Sequence, residues 1–502
     1  MNNDHLDDLV TVSTNQVNIN YQKNDGSFDN VVVATPIADH NASWSIAAGD
    51  LDGNGYLDLL YGGGGGATFM LSNVSETSNN TKEYTSDFTE YSPSIGIFSQ
   101  RTNFIDINND GLLDAFVCHD VNSNVYFIND GNGGLITHQV NDGNSVDLGI
   151  LGRNYATLWV DYDNDQDMDM FISKCGGSAE ATKNRMYENN GDGTFTDVSI
   201  SSNLNSSIQT WSSAWGDFDN DGLMDVLVGA SNGSNELMHN NGDGTFTDIT
   251  AGSGFDTFNV TSHEYIAHDF NNDGYVDVYA SGYILTNNGD MTFSPSGTNY
   301  GRGAVGDLNN DGFLDLFTGT LKINNNTEGN WLNVNTIGTD SNSNGIGARV
   351  EITSNLGTQI RDIRSGTGFK YMSSLTAHFG IGSDTTIQSV TVYWPSGNVD
   401  YIENPTINST MNIVEGSAAL AVNEELLNKV TINPNPVNNE LVITTNENLE
   451  NSVISIFDIQ GKKVLNSYFE SNTINVEKLD SGIYFLRIFN NNKEVKLKFI
   501  KQ

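Results

Sequence analysis

Residues 217–225 read DFDNDGLMD, with aspartates at the first, third, fifth and ninth places and a glycine at the sixth. Copies of this nine-residue pattern start 56, 55, 56, 52 and 38 residues apart. The copies are DLDGNGYLD from Asp50, DINNDGLLD from Asp106, DYDNDQDMD from Asp161, DFDNDGLMD from Asp217, DFNNDGYVD from Asp269 and DLNNDGFLD from Asp307. Repeats of about this length indicate stacked or radially arranged structural units.

The segments around each loop have the pattern of short strands. SSAWG precedes the loop at 217–225, and the run LMDVLVGA overlaps its end and continues beyond it. Farther along, NELMHNNGDGTFTDIT places an Asn-Gly or Asp-Gly turn between two strands. No segment shows sustained helical periodicity. Each unit is therefore predicted to hold about four antiparallel strands, with the acidic loop between the first and second, and radial repetition of such units forms a β-propeller.

The loop chemistry indicates a bound cation. Carboxylates at alternating places of a tight turn direct their oxygens at one centre, where they repel one another unless a cation is present. An all-oxygen shell of flexible geometry suits calcium. The sixth-place glycine permits a positive φ, and we expect the seventh residue to contribute its backbone carbonyl. An EF-hand closes with Glu at the twelfth place between helices, unlike these loops. A solvated acidic turn without metal is the open alternative.

The copies differ at single places. Gln166 replaces the glycine of its loop. Asparagine replaces aspartate at the third place of three loops and at the fifth place of the loop that starts at Asp50. Each amide lowers the charge of its loop. The predicted ligands are Asp50, Asp52, Asn54, Tyr56 and Asp58; Asp106, Asn108, Asp110, Leu112 and Asp114; Asp161, Asp163, Asp165, Asp167 and Asp169; Asp217, Asp219, Asp221, Leu223 and Asp225; Asp269, Asn271, Asp273, Tyr275 and Asp277; and Asp307, Asn309, Asp311, Phe313 and Asp315.

The first residues add an incomplete seventh loop. MNNDHLDD overlays the INNDGLLD of residues 107–114, which makes Asp4 and Asp8 further predicted ligands. The first aspartate of this loop and the strand before it are missing. We therefore predict a seven-bladed, calcium-binding propeller over residues 1–329 with an incomplete first blade. Either the chain is a fragment whose upstream part carried a signal peptide, which we favour, or a later strand completes this blade.

The charge of the chain is concentrated in the predicted propeller. The net charge is -41, from 63 acidic and 22 basic residues. Residues 1–329 hold 46 of the acidic and 9 of the basic residues. Nucleic acid and anionic membranes are therefore disfavoured as partners. No apolar run suggests a transmembrane helix, and the start of the chain has no signal-peptide pattern.

Two segments resemble known families. The loops with their NGDGTF hairpins are similar to FG-GAP or VCBS repeats of integrin-type propellers. NWLNVNTIGTDSNSNGIGARVEI, RDIRSGTGFKYMSSLTAHFGIGSD and VTVYWPSG resemble the ASPIC/UnbV domain. The combination is similar to the cartilage acidic protein family, which implies an extracellular calcium-binding propeller. The residues themselves predict a small β domain over 330–415.

The C-terminal segment is similar to another domain type. VTINPNPVNNELVITT, LDSGIYFLRI and VKLKFIKQ resemble the type A sorting domain of type IX secretion in Bacteroidetes. Their alternating apolar residues predict a β-sandwich over 429–502, after a linker at 416–428. The resemblance implies export through the type IX secretion machinery to the medium or the outer cell surface.

Other candidate sites have weaker support. SHEYIAH holds His263 and His268 five residues apart on a predicted strand, whereas a zinc-protease helix needs histidines four apart. The glycines of 62–66 lack the Lys-Ser/Thr of a phosphate loop and predict a flexible turn. Cys118 and Cys175 are placed either for a disulfide or as free thiols. We expect the basic cluster of Arg361, Arg364 and Lys370 to dock against the propeller, with an acidic ligand as the alternative.

These observations leave three functional hypotheses. The first is a secreted or surface-attached binding or adhesion module, not an enzyme, with a polysaccharide or protein ligand on one propeller face. The second is an extracellular polysaccharide-degrading enzyme on the same scaffold, since propellers support many chemistries. The third is a structural surface component that binds copies of itself.

Overall fold

A computed structural model describes the chain except residues 73–74, 77–81, 84–88, 92–95, 140–147, 150–151, 177–181, 192, 232–233, 261, 419–429, 446–451, 459–462, 470, 480 and 491–492. The chain forms two compact units, Met1–Ala419 and Leu420–Gln502. The described residues form strands and turns with no α-helix, which confirms the all-β prediction. Most of the predicted linker 416–428 lies outside the described residues.

The first unit begins with a series of antiparallel sheets that we name blades 1 to 7 in chain order. Blades 2 to 6 have four strands each, and blades 1 and 7 have three. In blades 2 to 7 the acidic loop joins the first strand to the second, as predicted. The strands are, in blade 1, β1 (Leu9–Val12), β2 (Gln16–Gln22) and β3 (Phe28–Ala34); in blade 2, β4 (Ser45–Gly49), β5 (Asp58–Gly63), β6 (Gly66–Leu71) and β9 (Thr89–Tyr91), with the separate pair β7 (Ser75–Glu76) and β8 (Lys82–Glu83); in blade 3, β10 (Ser99–Ile105), β11 (Asp114–His119), β12 (Val125–Asn129) and β13 (Leu135–Gln139); in blade 4, β14 (Asn154–Val160), β15 (Asp169–Lys174), β16 (Arg185–Asn189) and β17 (Phe195–Asp197); in blade 5, β18 (Thr210–Gly216), β19 (Asp225–Ala230), β20 (Glu236–Asn240) and β21 (Phe246–Asp248); in blade 6, β22 (Tyr265–His268), β23 (Asp277–Ala280), β24 (Tyr283–Asn287) and β25 (Phe293–Pro295); and in blade 7, β26 (Ala304–Gly306), β27 (Asp315–Phe317) and β28 (Leu321–Lys322).

Successive blades pack through apolar faces. Between blades 4 and 5, the rings of Phe171 and Trp215 lie edge to face with centroids 5.5 Å apart, a favourable aromatic geometry. Blade 7 also meets blade 1, because the Gln22 side-chain amide donates to the Asp307 carbonyl at 2.9 Å. The Asp307 N–H donates to the Asp7 carboxylate at 2.9 Å. These bonds link the last sheet to the first, and the seven-bladed closure itself stays a prediction.

The residues after blade 7 form two further sheets. One has the order β32-β29-β35 and the other β31-β30-β33-β34. Alternate apolar side chains of both sheets, among them Leu332, Val350 and Phe379, are fully buried in one cluster. The strands are β29 (Asn330–Ile337), β30 (Arg349–Ser354), β31 (Gly357–Asp362), β32 (Ala377–Gly382), β33 (Ser389–Tyr393), β34 (Val399–Glu403) and β35 (Ser409–Val414). We call residues 330–415 the second domain, as the sequence predicted a small β domain there.

Glu415 organises one end of the second domain. Its carboxylate accepts the backbone N–H groups of Thr339, Asp340 and Ser341 at 2.8–2.9 Å, and the side chains of Ser396 and Asn398 also donate to it. Burial acts to raise the pKa of Glu415, but these hydrogen bonds outweigh it and lower the pKa to about 2.

A loop of the second domain, residues 364–376, enters the centre of the propeller. It contacts the first strands of several blades: the Ser365 hydroxyl donates to the Ala48 carbonyl at 2.8 Å, and the Ser374 N–H donates to the Val305 carbonyl at 2.9 Å. At its tip, the ring of Phe369 lies 6.2 Å from that of Tyr155 and 5.9 Å from that of Trp211. The blades of a propeller surround a central channel. Because the first strands of the blades surround residues 364–376, we call these residues the channel segment.

Two buried charged residues hold the tip of the channel segment. Glu264 accepts the N–H groups of Phe369 and Lys370 at 2.8 and 2.9 Å, and Arg101 donates to the carbonyls of Phe369 and Tyr371 at 3.3 and 2.9 Å. Burial raises the pKa of Glu264 to about 7 and lowers that of Arg101 to about 10. The opposite charges attract each other across the segment, which offsets part of the cost of burying both.

The channel segment requires glycine where its backbone approaches the Glu264 side chain. A Cβ at residue 368 would lie 2.0 Å from a carboxylate oxygen of Glu264, and φ at Gly368 is +69°. The sequence GTGF at 366–369 therefore lets the backbone approach Glu264 closely in a left-handed conformation.

The second unit has its own core. The sheets have the orders β36-β37-β40 and β39-β38-β41-β42. Leu441, Ile456 and Leu486 are fully buried in one cluster. Two sheets with a shared apolar core agree with the β-sandwich predicted for 429–502. The strands are β36 (Val430–Asn433), β37 (Glu440–Thr445), β38 (Val453–Asp458), β39 (Lys463–Tyr468), β40 (Thr473–Asn475), β41 (Gly482–Asn490) and β42 (Lys493–Lys501).

Glu264→Ala is expected to lower the free energy of unfolding by about 3–5 kcal/mol, since it leaves the Arg101 charge buried without its counter-charge. Chemical denaturation measures this change. Glu328→Ala removes an exposed carboxylate and should change stability by less than about 0.5 kcal/mol. Equal effects of the two substitutions would contradict the role assigned to Glu264.

The pH dependence of stability tests the network at Glu415. Its pKa is lower in the folded state than the ordinary value of 4.5, so its stabilising contribution is present above about pH 4.5 and is lost as the pH falls toward 2. The stability difference between the natural protein and Glu415→Gln should shrink by up to about 3 kcal/mol over this range. Urea denaturation at several pH values measures the difference, and a constant difference would refute the prediction.

Candidate metal centre

Each acidic loop has the same backbone turn. At the sixth place the residues have φ between 78° and 96°, including Gln166 at 78°. The predicted positive φ at the sixth place is therefore present in all six loops. Gln166 adopts it although this conformation is unfavourable for a residue with a side chain. The fourth place is left-handed as well, with φ between 56° and 69°, a feature that sequence reasoning missed. Asparagine tolerates this conformation better than most residues.

The turn directs the first and fifth carboxylates inward. In the loop at 217–225, Asp217 accepts the N–H groups of Asp221 and Gly222, each at 3.1 Å. Asp221 in turn accepts the N–H of Leu223 at 2.9 Å. The N–H donors of residues 221–223 thus fix the orientation of both carboxylates.

In three loops the first, third and ninth carboxylates converge. One oxygen of each lies within 4.8 Å of the others, a spacing that a single cation can bridge. A further cluster joins Asp219, Asp221 and His239, and sequence reasoning missed the histidine. The three convergent sets are Asp50, Asp52 and Asp58; Asp161, Asp163 and Asp169; and Asp217, Asp219 and Asp225.

The loops with a third-place asparagine are arranged differently. There the asparagine amide donates to the fifth-place aspartate at 2.8–3.0 Å. The pairs are Asn108 with Asp110, Asn271 with Asp273 and Asn309 with Asp311. In all six complete loops, the role of the seventh-place carbonyl stays a prediction.

The incomplete first loop has the same pattern of donors. Asp4 accepts the N–H of Leu6 at 3.1 Å, as a fifth-place aspartate does. Asp8 accepts the N–H of Gln22 at 2.9 Å and the amino group of Met1 at 2.7 Å. Asp4 and Asp8 therefore match the fifth and ninth places, and their metal ligation stays a prediction.

Burial makes the charged form of the loop carboxylates costly. It raises their pKa values, and neighbouring carboxylates raise them further. A cation would remove this cost by favouring the charged form. The pKa rises to about 8 for Asp58 and Asp114, to about 7 for Asp161, Asp217, Asp269 and Asp315, and to about 6 for Asp106 and Asp163.

His239 partly supplies such a charge in one loop. Its Nδ1 lies 3.1 Å from the Asp225 carboxylate, and this hydrogen bond raises the pKa of His239 to about 9. The protonated imidazole would compete with a metal for the oxygens of Asp219 and Asp225.

The ninth-place aspartates also join the strands of their own blades. One oxygen accepts the N–H of the second loop residue at 2.9–3.2 Å. The other accepts an N–H from the end of the third strand or just after it at 2.6–2.8 Å. This residue therefore stabilises the blade whether or not a metal is bound.

Asparagines connect each loop to the neighbouring blades. Asn240, at the end of β20, donates to the Tyr162 carbonyl of the preceding loop at 2.8 Å, and Asn220 donates to the Gly274 carbonyl of the following loop at 3.0 Å. Asn129, Asn287 and Asn324 repeat the first contact, and Asn164 and Asn272 repeat the second. Asn310 instead donates to the Lys23 carbonyl, just after β2 of blade 1, at 3.0 Å. Sequence reasoning missed both sets, although their recurrence at fixed places was visible.

The second domain docks on the loops. The Arg349 guanidinium lies 3.1 Å from the Asp161 carboxylate, and the Ser343 hydroxyl donates to Asp50 at 2.6 Å. Arg361 attracts the carboxylates of Asp217 and Asp269. Together with Arg364, which donates to the Trp215 carbonyl at 3.4 Å, these contacts support the predicted docking of the basic cluster. Lys370 instead lies exposed at the tip of the channel segment.

The other candidate sites are structural in this fold. His263 stacks on Trp211, and Glu264 binds the channel segment. The glycine run 62–66 forms the hairpin between β5 and β6. Both cysteines are free, with Cys118 buried and its sulfur 2.6 Å from the Thr157 hydroxyl.

Family models match three parts of the chain. FG-GAP-like repeats match residues 1–61, 161–228, 221–280 and 269–318. The ASPIC and UnbV model matches 338–420, and the secretion system C-terminal sorting domain matches 431–502. The chain thus carries FG-GAP repeats, an ASPIC/UnbV domain and a type IX secretion sorting domain, which confirms the three resemblances. The sorting domain indicates a secreted or cell-surface protein, and no helix among the described residues is long and apolar enough to cross a membrane.

Individual relatives are more distant. Cartilage acidic protein 1 of Xenopus tropicalis is 28% identical over 272 residues, which cover 46% of this chain and 41% of the relative. The Homo sapiens protein is 28% identical over the same length and is covered to 40%. The chain thus spans well under half of the curated relatives it matches. Among solved structures, an Agrocybe aegerita lectin specific for non-reducing terminal N-acetylglucosamine is 18% identical, with a TM-score of 0.42 over 62% of this chain and 84% of that one.

Asp219→Ala removes one of the three convergent carboxylates in the loop at 217–225. Without calcium we expect a stability change within about 0.5 kcal/mol, because the lost N–H acceptor is offset by weaker repulsion. With calcium, the metal-induced gain should fall by about 1–3 kcal/mol. Thermal unfolding with and without calcium measures both values. Glu403→Gln, which removes an exposed charge far from the loops in sequence, should keep the full gain, and an undiminished gain in Asp219→Ala would exclude this loop as a site.

Proposed function

We propose that the protein is an extracellular binding module whose propeller is stabilised by calcium. Each acidic loop that binds the metal would hold one ion. The convergence of the first, third and ninth carboxylates in three loops carries this proposal. The predicted ligands, including Asp4 and Asp8, would hold the ions through oxygens alone, which suits calcium.

Calcium would act mainly on the junctions between blades. The loops that would bind it also hold the asparagine bonds to both neighbouring blades. They also carry the contacts of Arg349 and Ser343 from the second domain. A cation that orders a loop therefore supports two blade junctions and the docked domain together.

Binding without catalysis is favoured by the roles of the buried ionisable groups outside the loops. Glu264 and Glu415 each accept several backbone N–H groups. His378 lies between the side-chain oxygens of Asn333 and Asn272, each at 2.8 Å. These groups are engaged in holding the fold together. The ligand would be a glycan or protein outside the cell, and residues 429–502 would be the part that the secretion machinery binds.

Thermal unfolding of the full chain in excess calcium and in chelator tests the metal. A ligand that binds only the folded state must stabilise it, by about 2.7 kcal/mol per site at one hundred times Kd. We expect a large upward shift in Tm with calcium and a smaller one with magnesium, which requires stricter geometry. Sodium chloride at equal ionic strength is the control. An unchanged Tm would refute the proposal.

A panel of polysaccharides separates binding from catalysis. Calcium-dependent retention without new reducing ends is the expected result. New reducing ends would establish the enzyme hypothesis instead, and self-association seen by light scattering would favour a structural surface component.

A further inference from the structure

The end of the propeller opposite the acidic loops carries a cluster of aromatic rings. Each first strand runs from this end toward its loop, so the residues at or just before the strand starts lie around the tip of the channel segment. Trp44, Tyr155, Trp211 and His263 occupy such places in blades 2, 4, 5 and 6. We call these four residues, with Phe369 at their centre, the aromatic mouth.

Contacts hold the rings of the aromatic mouth in place. Trp211 stacks on His263 with centroids 3.7 Å apart and lies 4.8 Å from Tyr155. Trp44 lies edge-on to Phe369 at 6.4 Å. Phe369 is buried, and the four surrounding residues are half-buried. The four residues around Phe369 are thus partly exposed on a rigid support, which reduces the entropy lost on binding.

One polar atom beside the mouth lacks a partner. Among the described residues, the indole nitrogen of Trp211 is buried and has no hydrogen-bond partner. Buried polar groups are rarely left unpaired, so this nitrogen gains a partner only if a side chain around it moves when a ligand binds.

The exposed charge at the mouth is mainly positive. Lys370, Arg302 and Arg153 are exposed there. Arg302 lies near enough to lower the pKa of His263 and to interact with Glu264. Acidic neighbours include Asp120, beside Arg153, and Glu264, which is buried with Arg101. This positive charge is opposite in sign to the net charge of the propeller, since residues 1–329 hold 46 acidic and 9 basic residues.

We propose that the aromatic mouth binds an anionic glycan, with sugar rings stacked on Trp44 and Trp211 and uronate carboxylates paired with Arg302 and Lys370. The proposal rests on the proposed binding function and names its site and ligand class. Aromatic rings with a few placed polar groups suit ring-shaped ligands, and guanidinium pairs well with carboxylate. A peptide that adds a strand would need an unpaired strand edge, whereas the mouth is a cluster of aromatic side chains.

Titration of the full chain in calcium with a galacturonate hexasaccharide tests the site. Tryptophan fluorescence should change on binding, because two mouth residues are tryptophans. Arg302→Glu and Lys370→Glu should each weaken binding at least tenfold, and Trp44→Ala should do likewise. Lys322→Glu reverses an exposed charge on β28 of blade 7 and should leave affinity unchanged. A neutral cello-hexaose should bind at least tenfold more weakly.

The outcomes separate this proposal from the calcium scaffold. Calcium stabilisation of the variants, measured by thermal unfolding, shows that each is folded. If calcium stabilises the protein but the hexasaccharide does not bind, the mouth proposal fails and the scaffold stands. Unchanged affinity in both charge reversals, or equal binding of cello-hexaose, overturns it as well. Equal binding of polyglutamate or a single-stranded oligonucleotide would assign the mouth to another class of anion.

Discussion

The structure depends on the aspartate that closes each acidic loop. Asp225 and its equivalents accept one N–H from the start of the loop and another from the end of the third strand or just after it. The carboxylate thus ties together the first turn and the middle of a blade. Because it is buried, its charged form is disfavoured, and the two N–H donors are only a partial compensation. Further positive charge therefore stabilises the loop. His239 supplies it beside Asp225, the arginines of the second domain supply it beside first-place aspartates, and the proposed calcium would supply it to both places.

The second domain contacts the propeller both at the acidic loops and along the first strands of the blades. Its arginines meet the loop carboxylates on one side, while the channel segment extends to the far end, where Arg101 and Glu264 hold its tip. The packing of Phe369 among residues of three blades then creates an aromatic surface that neither part has alone. The domain therefore links the acidic face, where calcium would act, to the opposite face, where we place the ligand.

Much of the site could be predicted from sequence because it is local. Within nine residues, the spacing of carboxylates decides which oxygens can meet, so Asp217, Asp219 and Asp225 were identifiable from their spacing alone. The positive φ at the fourth place and His239 were missed, since the first needs the backbone path and the second comes from a neighbouring strand. The inter-blade asparagines were visible as a repeat, but their partners lie in another blade.

The sequence by itself determined the strand and turn pattern and the repeat, because these depend on residues close along the chain, and its motifs identified the three domain types by resemblance. Only the tertiary structure decided what lies in the centre of the propeller. Gly368 and Glu264 are far apart along the chain, and nothing local to either indicates that a Cβ at 368 would strike that carboxylate. Long-range packing of this kind depends on how whole sheets are placed, which short-range patterns do not encode.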